Sequence, residues 1–250
     1  MQEIIDTYNY FNQITNRFNP RDWSRDYCDA HPSPMLVLDN FLPTPIFDKL
    51  VEEIKGIPDY LWTDFTRNNS LMHECKTFTE SPLATTLVHC FNSGVFVTWL
   101  EGITKQPKII PDPHLVGAGV SKCHRGNFLN LHTDFNWNDE LQLNRELSMI
   151  LYINPEWDDS WGGGLEFWSA DRQHLGATIM PVPNRLLIWG YDENLWHGYP
   201  TPLSCPEDQH RLNLRMFYYK SNSTPITSPH RSLYWYDEES KKPIDNRTQK

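Results

Sequence analysis

The sequence predicts an α+β chain that is mainly β, in which helices pack on one side of a two-sheet antiparallel jelly roll. About seven short strand-like segments follow one another between residues 114 and 220, separated by Gly, Pro, Asn and Asp. Apolar residues recur at helical spacing before these segments. The 10 Trp, 11 Tyr and 12 Phe residues suit pleated, half-buried surfaces, and they also suit an aromatic-lined pocket.

One strand and two helical regions are predicted before residue 114. Residues 35–41 form a short strand. Thr44 stands before Pro45 as the N-cap, so a helix is predicted to begin there. A second helical region runs from about Ser81 to Gly102. Both helices are interpreted as support for the sheet, and no chemistry is assigned to residues 1–30.

The predicted strands of the jelly roll are bounded by turn-forming residues. The strongest is Glu146–Asn154, in which Ser148, Ile150 and Tyr152 alternate with apolar residues. That alternation places Ser148 and Tyr152 on the same face of the strand. The full set of predicted strands is 115–123, 128–132, 146–154, 164–168, 175–181, 185–189 and 211–219.

Length and composition predict a single domain over residues 1–250. No internal repeat or low-complexity tract divides the 250 residues, and this length is enough for one sizeable core. The predicted parts are an N-terminal strand with supporting helices (1–113), the jelly-roll core (114–220) and a polar C-terminal tail (221–250).

The net charge limits the possible binding partners, and the cysteines indicate the cellular compartment. A net charge of −10 disfavours nucleic acid as a partner, because an acidic chain repels phosphate groups. The 5 cysteines are scattered and form no CxxC pair, which favours reduced thiols over disulfides or a zinc site. Neither a signal peptide nor an apolar run long enough to span a membrane is evident, so a cytoplasmic location without membrane association is expected.

His132 and Asp134 are the first residues that point to chemistry. They stand at the end of a predicted strand, where residues i and i+2 project to the same face. Two histidines and one carboxylate on one side of a metal leave the other side open, which suits non-haem iron(II). The chain has 10 histidines, so this His-x-Asp pair is weak alone and needs a third ligand from a distant strand.

The order of motifs around this pair resembles the prolyl 4-hydroxylase-like branch of the 2-oxoglutarate/Fe(II)-dependent dioxygenase superfamily. The resemblance extends from about Cys123 to Tyr219, and the segment Leu36–Pro43 is similar to the first strand of the same family. Several motifs in this order are far more specific than His-x-Asp alone. They are His-Thr-Asp at 132–134, Leu-Ser-Met-Ile-Leu-Tyr-Ile-Asn at 147–154, Trp-x-x-x-Trp-Gly-Gly-Gly-Leu at 157–165, Asn-Arg-Leu-Leu-Ile-Trp at 184–189, His197, and Arg-Leu-Asn-Leu at 211–214.

The resemblance implies a double-stranded β-helix fold and a set of site residues. The implied iron ligands are His132, Asp134 and His197. Arg211 is implied to bind the distal carboxylate of 2-oxoglutarate, with help from Tyr152. The implied cofactor is Fe(II), with 2-oxoglutarate and O2 as co-substrates and ascorbate as a further candidate.

The chemistry of arginine agrees with Arg211 as the carboxylate-binding residue. A guanidinium group presents a planar fork to a carboxylate and keeps its charge. Arg215 lies on the same strand face and is a rival for this role, although the motif match favours Arg211. A surface salt bridge for Arg211 and a core position for Tyr152 are the plainer alternatives. Ser148 is predicted to be a lesser pocket residue.

Two features depart from the family pattern. His197 and Arg211 are 14 residues apart, a few more than is usual in this branch, and residues 202–208 are interpreted as an enlarged turn. Many relatives carry a tyrosine on the strand before His-x-Asp, where this chain has His124. His124 is therefore a candidate co-substrate pocket residue, with a half-buried structural histidine as the plainer alternative.

The predicted function is hydroxylation of an unactivated C–H bond, coupled to decarboxylation of 2-oxoglutarate to succinate. The resemblance makes a prolyl residue in a peptide or protein the leading target. The alternatives are a hydroxylase of a free amino acid or another small metabolite, and a non-catalytic jelly-roll module that binds a metal or ligand. Asn136, Trp137 and Asn138 follow the His-x-Asp pair, and their position motivates the hypothesis of a substrate lid at the rim.

Overall fold

The computed structural model describes residues 1–67, 70–76, 78, 80–221, 228–235 and 243–244, of which 65–67, 70, 71, 243 and 244 are described by their backbone alone. The α-helices in this part of the chain are α1 (Gln2–Asn12), α2 (Ile14–Arg17), α3 (Pro20–Asp29), α4 (Thr44–Lys55), α5 (Pro82–Phe91) and α6 (Gly94–Thr104). The strands are β1 (Met35–Leu38), β2 (Thr63–Arg67), β3 (Ser70–Cys75), β4 (Ile110–Pro111), β5 (Gly119–Cys123), β6 (Leu129–Thr133), β7 (Trp137–Asn138), β8 (Leu143–Tyr152), β9 (Leu165–Trp168), β10 (Leu175–Ile179), β11 (Leu186–Gly190), β12 (Trp196–Tyr199), β13 (Arg211–Lys220), β14 (Leu233–Trp235) and β15 (Pro243–Ile244).

Two antiparallel sheets build the body of the molecule. The larger sheet has the strand order β1-β11-β8-β13-β5-β3-β2, with β4 paired to β13 and β7 paired to β8. The smaller sheet has the order β10-β9-β12-β6-β14-β15. The predicted α+β, mainly β fold with a jelly-roll core and supporting helices is confirmed.

The larger sheet separates two apolar cores, as β13 illustrates. Leu212, Leu214 and Met216 lie in the core that the sheet shares with the helices. Because side chains alternate along a strand, Arg211 and Arg215 project to the opposite face. The second core lies between the two sheets and includes Tyr152, Leu165, Phe167, Trp189 and Tyr199. The strand period therefore directs charged side chains of β13 into the jelly roll.

The helices differ from the prediction in two details. Helix α4 begins at Thr44 itself, and Pro43 is its N-cap, so Thr44 as the N-cap was wrong. The predicted helical region 81–102 is two helices, because α5 ends at Phe91 with Asn92 as its C-cap, and Ser93 caps α6 by accepting a hydrogen bond from the Phe96 amide. No single helix of the described residues is long and apolar enough to cross a membrane, whereas α5 and α6 together, bent by 53°, pass that test by length and composition.

The observed strands differ from the predicted ones mainly where strands that are far apart in the sequence pair with each other. The predicted strand 115–123 begins only at Gly119, because Leu115 and Gly117 have positive φ values of 52° and 72° that a strand does not accommodate. Strands β2, β3, β4, β7, β12, β14 and β15 were not predicted. The sequence does predict that the apolar patch Leu233-Tyr234-Trp235-Tyr236 of the polar tail docks onto the body, and Leu233–Trp235 form β14, which joins the smaller sheet beside β6. Much of the remaining tail lies outside the described residues.

Candidate metal and co-substrate site

The three predicted metal ligands meet where β6 and β12 pair. His132 on β6 lies opposite His197 on β12, and Asp134 directly follows the last residue of β6. The two imidazole ring centroids are 4.5 Å apart. One candidate ligand atom from each of the three residues lies within 4.8 Å of the others. Both histidines are buried, and Asp134 is 9 % exposed.

Hydrogen bonds of the two histidines determine which ring nitrogen is available to a metal. The Nδ1 atom of His132 lies 3.0 Å from the carbonyl oxygen of Asn130, and that of His197 lies 3.0 Å from the carbonyl oxygen of Leu195. Because a carbonyl oxygen only accepts, each Nδ1 carries the proton and each Nε2 keeps a lone pair. Burial and the neighbouring His197 lower the pKa of His132 to about 3, so its ring is neutral at neutral pH.

Asp134 shares its carboxylate with a buried arginine. Its Oδ2 atom accepts a hydrogen bond from Ser148 Oγ at 3.1 Å and forms an ion pair with Arg145 Nη2 at 2.9 Å. The same Nη2 also donates to Ser148 Oγ at 2.8 Å. Burial alone would raise the pKa of Asp134, but Arg145 and the two histidines lower it well below its usual range. Asp134 is therefore ionised, as a metal ligand has to be.

This donor set fits iron(II). Two neutral imidazoles and one carboxylate are the protein ligands of the non-haem iron oxygenases, in which the remaining positions stay open for other ligands. His132 and His197 would each bind the ion through Nε2, and Asp134 through its carboxylate. Within the described part of the chain, no other group of His, Cys, Asp and Glu side chains meets the same spacing.

Arg211 is a buried cation at the start of β13, and its residue is 2 % exposed. Its Nε atom donates to the carbonyl oxygen of Gly163 at 2.8 Å, and its Nη2 atom donates to the Tyr152 hydroxyl at 3.2 Å. The guanidinium carbon lies 4.3 Å from the ring centroid of Tyr199. Among the described residues, Arg211 has hydrogen bonds and ring contacts but no carboxylate partner. Because a buried charge without a counter-charge is unfavourable, this position suits the carboxylate of a ligand.

Two other arginines of the jelly roll, the buried Arg145 and the partly buried Arg215, already have carboxylate partners. Arg215, the rival of Arg211, forms an ion pair with Glu74 of β3. Arg145 forms its ion pair with Asp134. This difference in pairing favours Arg211 over Arg215 as the residue that binds the co-substrate carboxylate. The assignment of Arg211 and Tyr152 stays a prediction.

A cavity of about 500 Å³ opens beside the metal group. Its walls include His132 and Asp134 together with the cations Arg145 and Arg215. Four aromatic side chains also line it: Phe135, Trp137, Phe217 and Tyr234. The cavity therefore combines a metal-binding end with aromatic and charged side chains, a composition that suits a substrate pocket.

Ser148 lies at the metal group, whereas His124 lies in a cluster of histidines. Ser148 contacts the carboxylate of Asp134, so it touches the metal group directly. The ring of His124 contacts the rings of His73 and His210, with centroid distances of 4.8 Å and 4.4 Å. Like Arg211 and Tyr152, His124 is not among the residues that line the cavity at the metal group. The roles of Ser148 and His124 in the co-substrate pocket stay predictions.

The hypothesised rim lid is only partly reflected in the structure. Trp137 and Asn138 line the cavity, whereas Asn136 is buried and hydrogen-bonded to the backbone of residues 228 and 230. Asn136 therefore fastens another segment of the chain.

Sequence reasoning missed three residues of the site. Arg145 was signalled only by its charge at the start of an apolar strand. Glu74 lies on a strand that was not predicted, and Tyr234 lies in the segment that had been interpreted as a polar tail.

Part of the chain matches a known family model, and several solved structures have a similar fold. Residues 118–219 match a family model described as the 2OG-Fe(II) oxygenase superfamily. The fold is similar to that of a prolyl hydroxylase from Trichoplax adhaerens, which was solved with a peptide fragment of the hypoxia inducible factor oxygen degradation domain. The two sequences are 15 % identical, the comparison covers 86 % of this chain and 92 % of that chain, and the TM-score is 0.59.

Two further solved structures have a similar fold. A prolyl-4-hydroxylase from Pseudomonas putida is 16 % identical, with 80 % of this chain and 99 % of that chain covered and a TM-score of 0.57. HygX from Streptomyces hygroscopicus, solved with nickel and 2-oxoglutarate bound, is 11 % identical, with 77 % and 85 % covered and a TM-score of 0.50. The matched residues 118–219 contain all three candidate metal ligands and Arg211.

Proposed function

We propose that this chain, whose core is that of a 2OG-Fe(II) oxygenase of the prolyl hydroxylase-like branch, hydroxylates a prolyl residue in a peptide or protein. In this proposal, His132, Asp134 and His197 hold Fe(II), and Arg211 binds the distal carboxylate of 2-oxoglutarate. The alternative substrate class is a free amino acid or another small metabolite.

The observation that carries the co-substrate assignment is the unpaired charge of Arg211. Tyr152 and the Gly163 carbonyl hold the guanidinium by hydrogen bonds of 3.2 Å and 2.8 Å, so its position is fixed before any ligand arrives. A fixed guanidinium loses little conformational freedom when it binds a carboxylate. Arg211 thus binds and orients the dicarboxylate co-substrate.

Each part of the site has a distinct task in the proposed reaction. Bound iron supplies the activation of dioxygen that couples decarboxylation of 2-oxoglutarate to substrate hydroxylation. Arg145 and Ser148 hold the carboxylate of Asp134 in place through Oδ2. The aromatic walls of the cavity exclude water from the space in which the substrate binds.

The composition of the cavity supports a prolyl substrate. Phe135, Trp137, Phe217 and Tyr234 line the space next to Asp134. Flat aromatic faces pack well against the apolar ring of a proline side chain. The Trichoplax adhaerens protein of similar fold was solved with a peptide, which supports an extended substrate here.

The test is anaerobic addition of Fe(II) and 2-oxoglutarate, followed by oxygen and one of three probes: short peptides with one central proline, poly-L-proline, or free L-proline. We expect a visible absorption band before oxygen, and succinate together with hydroxyproline after it with the peptides. Hydroxylation of free L-proline alone would favour the small-molecule alternative. Neither an absorption band nor succinate with any probe would contradict an oxygenase function. The variant His132→Ala, which removes a metal ligand, is the negative control.

A further inference from the structure

The C-terminal segment 228–235 crosses the edge of the smaller sheet at the metal group. In β14, Leu233 lies opposite Thr133 and Tyr234 lies opposite His132, in antiparallel pairing with β6. Without β14, the strand that carries His132 would be an edge strand with unpaired backbone groups. The segment therefore completes the sheet next to a metal ligand.

The inner face of this segment forms part of the cavity wall. The ring of Tyr234 stacks on the ring of His132, with centroids 5.0 Å apart and planes inclined by 19°. Arg231, Ser232 and Tyr234 line the same cavity as Asp134. A substrate that reaches the metal group therefore passes these side chains.

The outer face of the segment is also fastened. The guanidinium carbon of Arg172 lies 3.7 Å from the ring centroid of Trp235. The rings of Trp235 and Trp196 meet edge to face, with centroids 6.3 Å apart. Since Tyr234 packs inward and Trp235 packs outward, β14 is held from both sides of the sheet.

Asn136 fixes the start of the segment. Its side-chain Nδ2 donates to the carbonyl oxygen of Ser228 at 3.0 Å, and its Oδ1 accepts from the amide of His230 at 2.8 Å. Its backbone amide donates to the carbonyl oxygen of His230 at 3.3 Å. Asn136 is 5 % exposed and lies two residues after Asp134 in the chain. One buried side chain thus ties the segment to the loop that carries a metal ligand.

We propose that segment 228–235, fastened by Asn136, is the specificity-determining wall of the active site. This inference rests on the proposed function and deepens it, because it assigns the choice of peptide substrate to the C-terminal segment. A wall held at both faces and at its start keeps a fixed shape. Substrates are selected by their fit against Tyr234 and Arg231, while metal and 2-oxoglutarate binding depend on other residues.

The test compares full-length Asn136→Ala with the matched control Asn184→Ala. Asn184 is also buried and clamps a remote segment by the same pair of side-chain bonds, donating to the Leu42 carbonyl and accepting from the Leu42 amide, each at 2.8 Å. It lies outside the cavity lining. A second pair, Tyr234→Ala and Tyr234→Phe, separates loss of the stacked ring from loss of its hydroxyl group.

Two measurements need no turnover. Amide hydrogen exchange on the metal-free protein reports whether residues 228–235 are loosened. Calorimetry with Ni(II) and 2-oxoglutarate present reports the affinity for a short proline peptide. We expect Asn136→Ala to speed amide exchange in residues 228–235. We also expect it to weaken peptide binding about tenfold, because the variant loses the two side-chain hydrogen bonds that hold the segment in its binding conformation. Tyr234→Ala is expected to do the same to peptide binding, Tyr234→Phe to weaken it less than Tyr234→Ala does, and Asn184→Ala to change it little.

The kinetic readout is the ratio of hydroxyproline to succinate, which we expect to fall in Asn136→Ala and Tyr234→Ala while the affinity for 2-oxoglutarate stays near its original value. Peptide affinity and ratio equal to those of Asn184→Ala in both variants would overturn the inference. Absence of succinate from the unmodified protein would instead contradict the proposed function, and peptide binding to the nickel-loaded variants would still decide the role of the segment.

Discussion

Three arginines of the jelly roll differ in their partners, and this difference separates their roles. Arg145 and Arg215 are paired with Asp134 and Glu74, whereas Arg211 contacts a hydroxyl group, a backbone carbonyl and an aromatic ring. A paired guanidinium has its charge compensated within the protein. A guanidinium without a carboxylate partner gains the most interaction free energy when it binds the carboxylate of a ligand.

Replacing Arg211 by Met is expected to weaken 2-oxoglutarate binding. Hydrogen bonds to a charged group contribute about 1.5–3 kcal/mol, which corresponds to a loss of affinity of roughly 10- to 150-fold. The measurement is anaerobic titration of the iron-loaded protein with 2-oxoglutarate. The control is the double variant Glu74→Gln/Arg215→Met, which removes the neighbouring ion pair as a unit. A larger loss in the control than in Arg211→Met would transfer the carboxylate-binding role to Arg215.

Asp134 is expected to stabilise the metal-free protein as well as to bind iron. The side chain of Arg145 is 1 % exposed, so Asp134→Ala leaves a buried cation without its partner. Breaking a buried ion pair in this way costs roughly 3–5 kcal/mol. Urea unfolding of the metal-free variant should show this loss, and Asp134→Ala/Arg145→Met should recover part of it. Equal stability of the single and double variants would contradict a structural role of the pair.

At the scale of elements, the turn Gly162–Gly164 before β9 positions Arg211. Gly162 and Gly163 have positive φ values of 77° and 75°, so both favour glycine. A Cβ atom added at Gly163 would lie 2.6 Å from Leu203 Cδ2 and 3.1 Å from Arg211 Cδ, whereas one added at Gly162 would have no atom within 4 Å. The close packing at Gly163 thus keeps the guanidinium group of Arg211 in contact with the carbonyl oxygen of Gly163.

Gly163→Ala and Gly162→Ala form a matched pair that isolates this packing. Both variants carry the backbone strain of a positive φ, about 1–3 kcal/mol each. Only Gly163→Ala should also lower the affinity for 2-oxoglutarate, because its methyl group displaces Arg211. Thermal unfolding reports the shared strain, and anaerobic titration reports the difference. An equal loss of 2-oxoglutarate affinity in both variants would show that the conformation of the whole turn, and not the packing at Gly163, positions Arg211.

The strands also show which parts of the fold can be predicted from the local sequence pattern. The sequences of β8 and β13 alternate, so both strands could be predicted from the sequence alone, together with the shared face of Ser148 and Tyr152 and that of Arg211 and Arg215. β12 has only four residues, and it is a strand because β6 and β9 flank it. Tyr234 escaped prediction for the same reason, since its place beside His132 depends on long-range pairing that carries no local signal.

At the scale of the whole molecule, the resemblance between motifs predicted the fold and the cofactor chemistry, and both are confirmed. The arrangement of charges could not be predicted, because Arg145 and Arg211 meet their partners across the two sheets, and Glu74 meets Arg215 across β5 within the larger sheet. Such contacts depend on sheet order and on side-chain direction. The pairing state of each arginine, which distinguishes Arg211, is visible only in three dimensions.

Because metal and 2-oxoglutarate bind the folded chain, they are expected to raise its melting temperature. A ligand at 100 times its Kd adds about 2.7 kcal/mol, and about 2–4 °C per kcal/mol for a chain of this size gives a shift of roughly 5–10 °C. Ni(II) replaces iron in the measurement so that no turnover occurs. Glutarate, which has both carboxylates but no keto oxygen to bind the metal, should give a smaller shift than 2-oxoglutarate. Arg211→Met should lose half or more of the part of the shift that 2-oxoglutarate adds to the Ni(II)-loaded protein, and an unchanged part in this variant would show that the dicarboxylate binds elsewhere in the molecule.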